Sequence, residues 1–281
     1  MALQRIWINN TMSRPEDIAN HVLDRLNIRI EEDLLLLDEI VNARGALIHE
    51  CSMEGAEARL LIGPGKPIIS VSTSNYINPY RRRFSIVHEL GHLEMHRGNG
   101  LMRSCTKLDI QEMPAGNSVD AEQEANQFAS AFLIPARFVE RPFAESAPSF
   151  ELISEWSEKL QTSLTATALR FTRFSLEPVA VVYSFQGKIQ YFQPSSEFME
   201  LGVFPDVNHP VGLNTGARML FNRKEVSRQW HEVRAAEWFR ENRDAFDRGD
   251  TIRELSIGMP NYDAVLSLLW VNEPLGQKDD W

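Results

Sequence analysis

The run His88-Glu89-Leu90-Gly91-His92 constrains this chain more than any other segment. Residues four apart lie on one face of a helix, so the two imidazoles can reach a single point. Glu89 is rotated by about 100° from His88 at 3.6 residues per turn. It is poorly placed as a third ligand at that point, but it can reach a water held there. Such an arrangement suits a metal ion that acidifies water, with a carboxylate as general base. Phe84, Val87, Gly91 and Met95 fall at helical spacing with the two histidines. The histidines therefore belong to the apolar, inward stripe of their helix. Gly91 leaves that face without a side chain, which lets a second helix approach.

Five residues alone make a moderately specific pattern, and the competing reading is an amphipathic helix with two ordinary histidines. Catalytic zinc usually takes three protein ligands and a water. A third histidine six residues beyond His92 is ruled out, because Gly98 stands there. A carboxylate on a later helix remains, and Asp120-Ala121-Glu122-Gln123-Glu124-Ala125-Asn126 supplies one. Glu122 and Asn126 share a face with Ala125 and Ala129, small residues that permit close packing on Gly91. Glu122 is the expected ligand. Asn126 is expected to orient a ligating group, and Glu124, on another face, to be solvated. Two histidines and one glutamate favour zinc over manganese.

Hydrophobic residues make up 43% and charged residues 24% of 281 residues, ordinary values for a folded chain. The formal net charge of −10 argues against general binding to nucleic acid, which draws on Lys and Arg. It argues equally against an anionic membrane surface. Two distant cysteines, Cys51 and Cys105, read as reduced thiols rather than a disulfide framework. The start, MALQRIWINN, lacks the features of a signal peptide, and no apolar run is long enough to span a bilayer. A cytoplasmic location is the resulting expectation.

A first helix is expected over 13–26, opened by the capping box Ser13-Arg14-Pro15-Glu16. A second covers 31–43, stopped by Gly45. Short strands follow at 46–49, 58–62 and 67–72, read as a small antiparallel sheet. Asn78-Pro79 starts the helix that carries His88, and 101–118 reads as a loop. A helix from Asp120 runs to Ile134, where Pro135 prevents continuation. A short helical pair covers roughly 136–175. Beyond Pro178 a hairpin is expected around Gln186-Gly187, and two more strands at 251–257 and 264–271. The fold class is therefore α+β. The expected domains are 1–140 with the metal site, a helical segment at 141–177, and a smaller α+β domain at 178–281.

The stretch Arg82 to His92, then Glu122-Gln123-Glu124-Ala125-Asn126-Gln127-Phe128-Ala129, then Phe132-Leu133-Ile134-Pro135, resembles the ImmA/IrrE family of metallo-endopeptidases. The resemblance implies a zincin-like peptidase domain with zinc on His88, His92 and Glu122 and with Glu89 catalytic. It implies a helix-turn-helix-like segment after the core, then a GAF-like sensory domain. It also implies a substrate: a helix-turn-helix repressor whose cleavage releases genes of mobile elements or of a stress response. The segment resembling a helix-turn-helix is itself acidic, so direct DNA binding is not expected of it.

His96 continues the ligand face and is read either as a group near substrate or as an ordinary histidine at a helix C-terminus. Tyr80 or Tyr76 could donate to an oxyanion, though spacing places neither. Arg81, Arg82 and Arg83 read as a solvated basic face, with binding to an acidic segment of a partner as the alternative. Trp230, Trp238 and Trp270 read as core. The rival to a peptidase is a non-catalytic regulator with a structural or vestigial zinc site, acting by binding a repressor or a small ligand.

Overall fold

The computed structural model describes residues 14–53, 55–73, 78–96, 103–105, 120–239 and 249–272. Ser13, Tyr76, Gly98 and most of 101–118 lie outside the described residues. No helix among those described is long and apolar enough to cross a membrane. The chain forms two compact units, one of residues 1–138 with 157–163, the other of 139–156 with 164–281. The α+β class holds for both.

In the first unit, helix α1 (Arg14–Arg25) buries Ala19, Val22 and Leu23. The expected second helix is broken. A 3-10 turn spans Glu31–Leu35, and α2 follows at Leu37–Ala43. The side chain of Asp33 accepts from the backbone N–H groups of Arg29 and Ile30 and so caps the start of the 3-10 turn. Leu36, at ψ 52°, makes the break. Gly45 (φ 81°) terminates α2. Its N–H donates to Asn42, and that of Ala46 to Val41, the paired bonds of a Schellman end.

Strands β1 (Leu47–Cys51), β2 (Ala58–Leu61) and β3 (Ile68–Ser72) form the sheet, with β4 (Arg103–Cys105) on its edge. The order is β1-β3-β2-β4. The sheet is mixed rather than purely antiparallel, because β1 pairs with β3 in parallel. β2 turns back on the far side of β3, so β1 and β3 run the same way. β4 falls in the stretch read as a loop. Its three residues are too few to show a period, and their pairing with β2 is what makes them a strand.

Helix α3 (Pro79–Met95) begins at Asn78, whose Oδ1 accepts from the N–H groups of Tyr80 and Arg81. Pro79 sits where its missing N–H costs nothing. The three arginines are not a free solvated face. Arg81 pairs with Glu57 at 2.6 Å and Arg82 with Glu50 at 2.6 Å. Arg83 is buried and donates to the carbonyl of Leu34 at 2.9 Å. At the other end Glu94 takes a bidentate pair from Arg44 at 2.9 and 2.8 Å. Both ends of α3 are thus pinned to the preceding elements. Helix α4 (Asp120–Leu133) packs against α3 and α1.

The stretch expected to hold a helical pair contains three helices: α5 (Ala136–Ala144), α6 (Phe150–Leu160) and α7 (Leu164–Phe174). In the second unit Phe143 meets Trp156 and Phe171 edge-on. Strands β5 (Val179–Phe185) and β6 (Lys188–Pro194) form the expected hairpin, closed by Gln186 and Gly187 at φ 48° and 76°. Two short helices, α8 (Ser196–Glu200) and α9 (Gly216–Phe221), precede β7 (His231–Arg234), β8 (Thr251–Met259) and β9 (Ala264–Trp270). The sheet is antiparallel, in the order β6-β5-β9-β8-β7. Trp238 is fully buried in its core, while Trp230 and Trp270 are partly exposed. Its indole N–H donates to Glu254, a fully buried carboxylate that also accepts from Ala217 N–H and Ser256 Oγ–H.

Candidate metal centre

Helix α3 presents His88, His92 and His96 at successive turns, and α4 lies across that face. Close approach depends on Gly91. A Cβ built there would stand 3.0 Å from Cδ1 of Phe128. Phe128, fully buried on α4, occupies the room that a side chain would take. The contact sets the helix spacing, and with it the reach from α4 to the imidazoles.

That spacing brings three donor atoms together. Glu122 Oε2 stands 3.2 Å from Nε2 of His88 and 3.2 Å from Nε2 of His92. The two Nε2 atoms are 3.1 Å apart. Both histidines are buried and Glu122 nearly so. These three side chains form a group able to hold a metal ion.

The residues fit such an ion on two counts. The first is protonation. Asn126 Oδ1, 2.9 Å away, accepts from Nδ1–H of His88. A neutral His88 then has a lone pair at Nε2 and aims it at a carboxylate oxygen, which also carries only lone pairs. Electron pairs converging at 3.2 Å repel unless a cation lies among them. The second is size. Tetrahedral ligands at zinc distances of about 2.0–2.1 Å stand about 3.3 Å from one another. The separations of 3.1 to 3.2 Å match that edge closely.

Electrostatics show the same need for positive charge among these atoms. Burial pushes the Glu122 carboxyl up, but the N–H groups and positive charge that His88 and His92 turn toward it when protonated at Nε2 more than offset that. Glu122 is held well below the usual carboxylate range and is ionised at neutral pH. Glu89 is fully buried beside His88 on α3.

Of the other residues singled out in the sequence, Asn126 reaches the centre and touches His88. Tyr80, eight residues before His88, lies about 12 Å away along the helix axis at 1.5 Å per residue. His96 bonds to His92 at 3.1 Å and to Glu124 at 2.8 Å. Glu124 is therefore engaged rather than solvated. Sequence reasoning missed this pair. The spacing of His96 from His92 was a signal for one half of it, but the direction of the long Glu124 side chain was not legible.

Residues 42–172 match a peptidase family model described as the IrrE N-terminal-like domain. The matched span contains α3, α4 and every residue of the centre. No curated protein matches the chain. Among solved structures, the chain is similar to a Mycobacterium tuberculosis transcriptional regulator, with 15% identity and a TM-score of 0.58. The likeness covers 93% of this chain and 77% of that one, and at this identity it speaks to fold alone.

Proposed function

We propose, from the match of residues 42–172 to the IrrE N-terminal-like peptidase domain, that the chain is a zinc-dependent endopeptidase acting on a regulatory protein. The observation that carries the reading is the convergence of three lone-pair atoms, from His88, His92 and Glu122, at the spacing of a tetrahedral face. In this reading those residues hold zinc. A bound zinc ion supplies Lewis acidity, polarising a carbonyl and making water easier to deprotonate.

The chain's own residues do the rest. Asn126 holds His88 in the tautomer that frees Nε2. Glu89 takes a proton from the attacking water, whose oxygen bonds to the scissile carbonyl carbon. The C–N bond breaks, and Glu89 delivers that proton to the departing nitrogen. Three ligands among the described residues would leave one position for water or substrate, as a catalytic site requires.

The substrate in this reading is a helix-turn-helix transcriptional repressor, and the reaction takes place in the cytoplasm. The family resemblance supports that class, and the transcriptional regulator of similar fold is consistent with it. The second unit would act as the sensory part. The test is to mix the zinc-loaded protein with a helix-turn-helix repressor encoded beside it and identify fragments by mass spectrometry. Glu89→Gln should keep zinc at wild-type stoichiometry and lose about 10²–10⁴-fold in cleavage rate. Undiminished cleavage by that variant would refute the mechanism.

A further inference from the structure

We infer that His96 and Glu124 form a relay that fixes the metal-binding tautomer of His92; this rests on the zinc reading above. His92 aims Nε2 at Glu122 and at His88. As a neutral ligand it must carry its proton on Nδ1. That Nδ1 faces Nδ1 of His96 at 3.1 Å. Two ring nitrogens bond only if one donates and the other accepts. The far end of the chain decides which. Nε2 of His96 faces Oε2 of Glu124 at 2.8 Å, and an ionised carboxylate only accepts. A neutral His96 therefore keeps its proton on Nε2 and offers a lone pair at Nδ1. That lone pair takes the proton of His92 Nδ1–H and leaves His92 Nε2 free for a cation.

With both rings neutral, the order is forced at each link. Were His96 protonated on Nδ1 instead, two N–H groups would oppose each other, or His92 would carry its proton where the ion binds. Glu124 thus selects the state of a ligand it does not touch. The two ligand imidazoles are held by different means, His88 by a neutral amide and His92 by an imidazole backed by a carboxylate. His96 and Glu124 are partly covered, at 15% and 30% side-chain exposure. Water competes little for the inner link. Arg14, 3.8 Å from the other oxygen of Glu124, adds a weak, exposed pairing.

Neither residue is assigned to catalysis; both are positioning residues. The experiment measures zinc affinity of the full chain by competition with a chromophoric chelator. It compares wild type, His96→Phe, Glu124→Ala and the double variant, with circular dichroism as a check on folding. Outer groups of this kind typically contribute about 10–100-fold in metal affinity. His96→Phe should weaken zinc within that range and Glu124→Ala by less. The double variant should bind no more weakly than His96→Phe, because Glu124 acts through His96.

Additive losses, or unchanged affinity in both single variants, would overturn the relay while leaving the zinc centre standing. A wild-type protein that binds no zinc would overturn both readings. Imidazole nitrogen NMR of the zinc-loaded wild type gives an independent answer without any substitution. His96 should show the Nε2–H tautomer, and an Nδ1–H tautomer there would refute the inference.

Discussion

At the scale of single residues, Glu122 balances burial against the positive charge that faces it from His88 and His92, and the charge prevails. An ionised carboxylate among lone pairs is costly without a cation and well suited to one. Replacing it by Gln removes the charge but keeps an oxygen. Zinc affinity should fall by more than the roughly 10–100-fold typical of outer groups, as read by chelator competition. Asn126 acts differently, through the Nδ1–H of His88. Asn126→Asp keeps an acceptor there and Asn126→Ala does not. The Asp variant should therefore bind zinc more tightly than the Ala variant, and equal affinities would show that the amide does not orient His88.

At the scale of elements, the centre depends on how closely α4 lies on α3. A Gly91→Val substitution places a branched side chain against Phe128, whose ring already stacks on Phe132 at 5.7 Å. Overpacking of this kind costs about 1–3 kcal/mol, which urea unfolding would measure. Zinc affinity should fall with it, because the helix bearing Glu122 is pushed outward. Asn78→Ala removes the cap of α3 and should cost about 1 kcal/mol with little change in metal binding. The pair of Glu31 and Lys159, at 2.9 Å, carries a pH signature. Burial raises the Glu31 carboxyl, but Lys159 and a backbone bond lower it further, so its folded value lies below the ordinary one. Its contribution is complete above the ordinary carboxylate range and is lost as pH falls through the depressed value. Lys159→Met should therefore flatten the acid limb of a melting-temperature profile.

At the scale of the whole molecule, two units each have their own core. The candidate ligands all belong to the first. Zinc bound only by the folded state stabilises by about 2.7 kcal/mol at a hundredfold excess over its dissociation constant. Calorimetry should show the unfolding of the first unit raised in temperature by zinc and lowered by chelator; no shift with zinc would contradict a metal held by the folded state.

The sequence by itself determined the elements with long, regular patterns. Helix α3 followed from its cap and its inward stripe, α4 from its small face and Pro135, and the β5–β6 hairpin from Gln186-Gly187. The α+β class and the residues that converge at the centre were legible for the same reason: four-residue spacing fixes which side chains share a face. Only the tertiary structure decided what depends on partners distant along the chain. The break at Leu36, where the backbone turns to ψ 52°, carries no glycine or proline to announce it. The parallel pairing of β1 and the existence of β4 needed neighbouring strands. The engagement of Arg83 by Leu34, and of Glu124 by His96, needed two elements already docked. Local periodicity says which way a side chain faces along its own helix, whereas the length and bend of a long side chain are set by what it finds there.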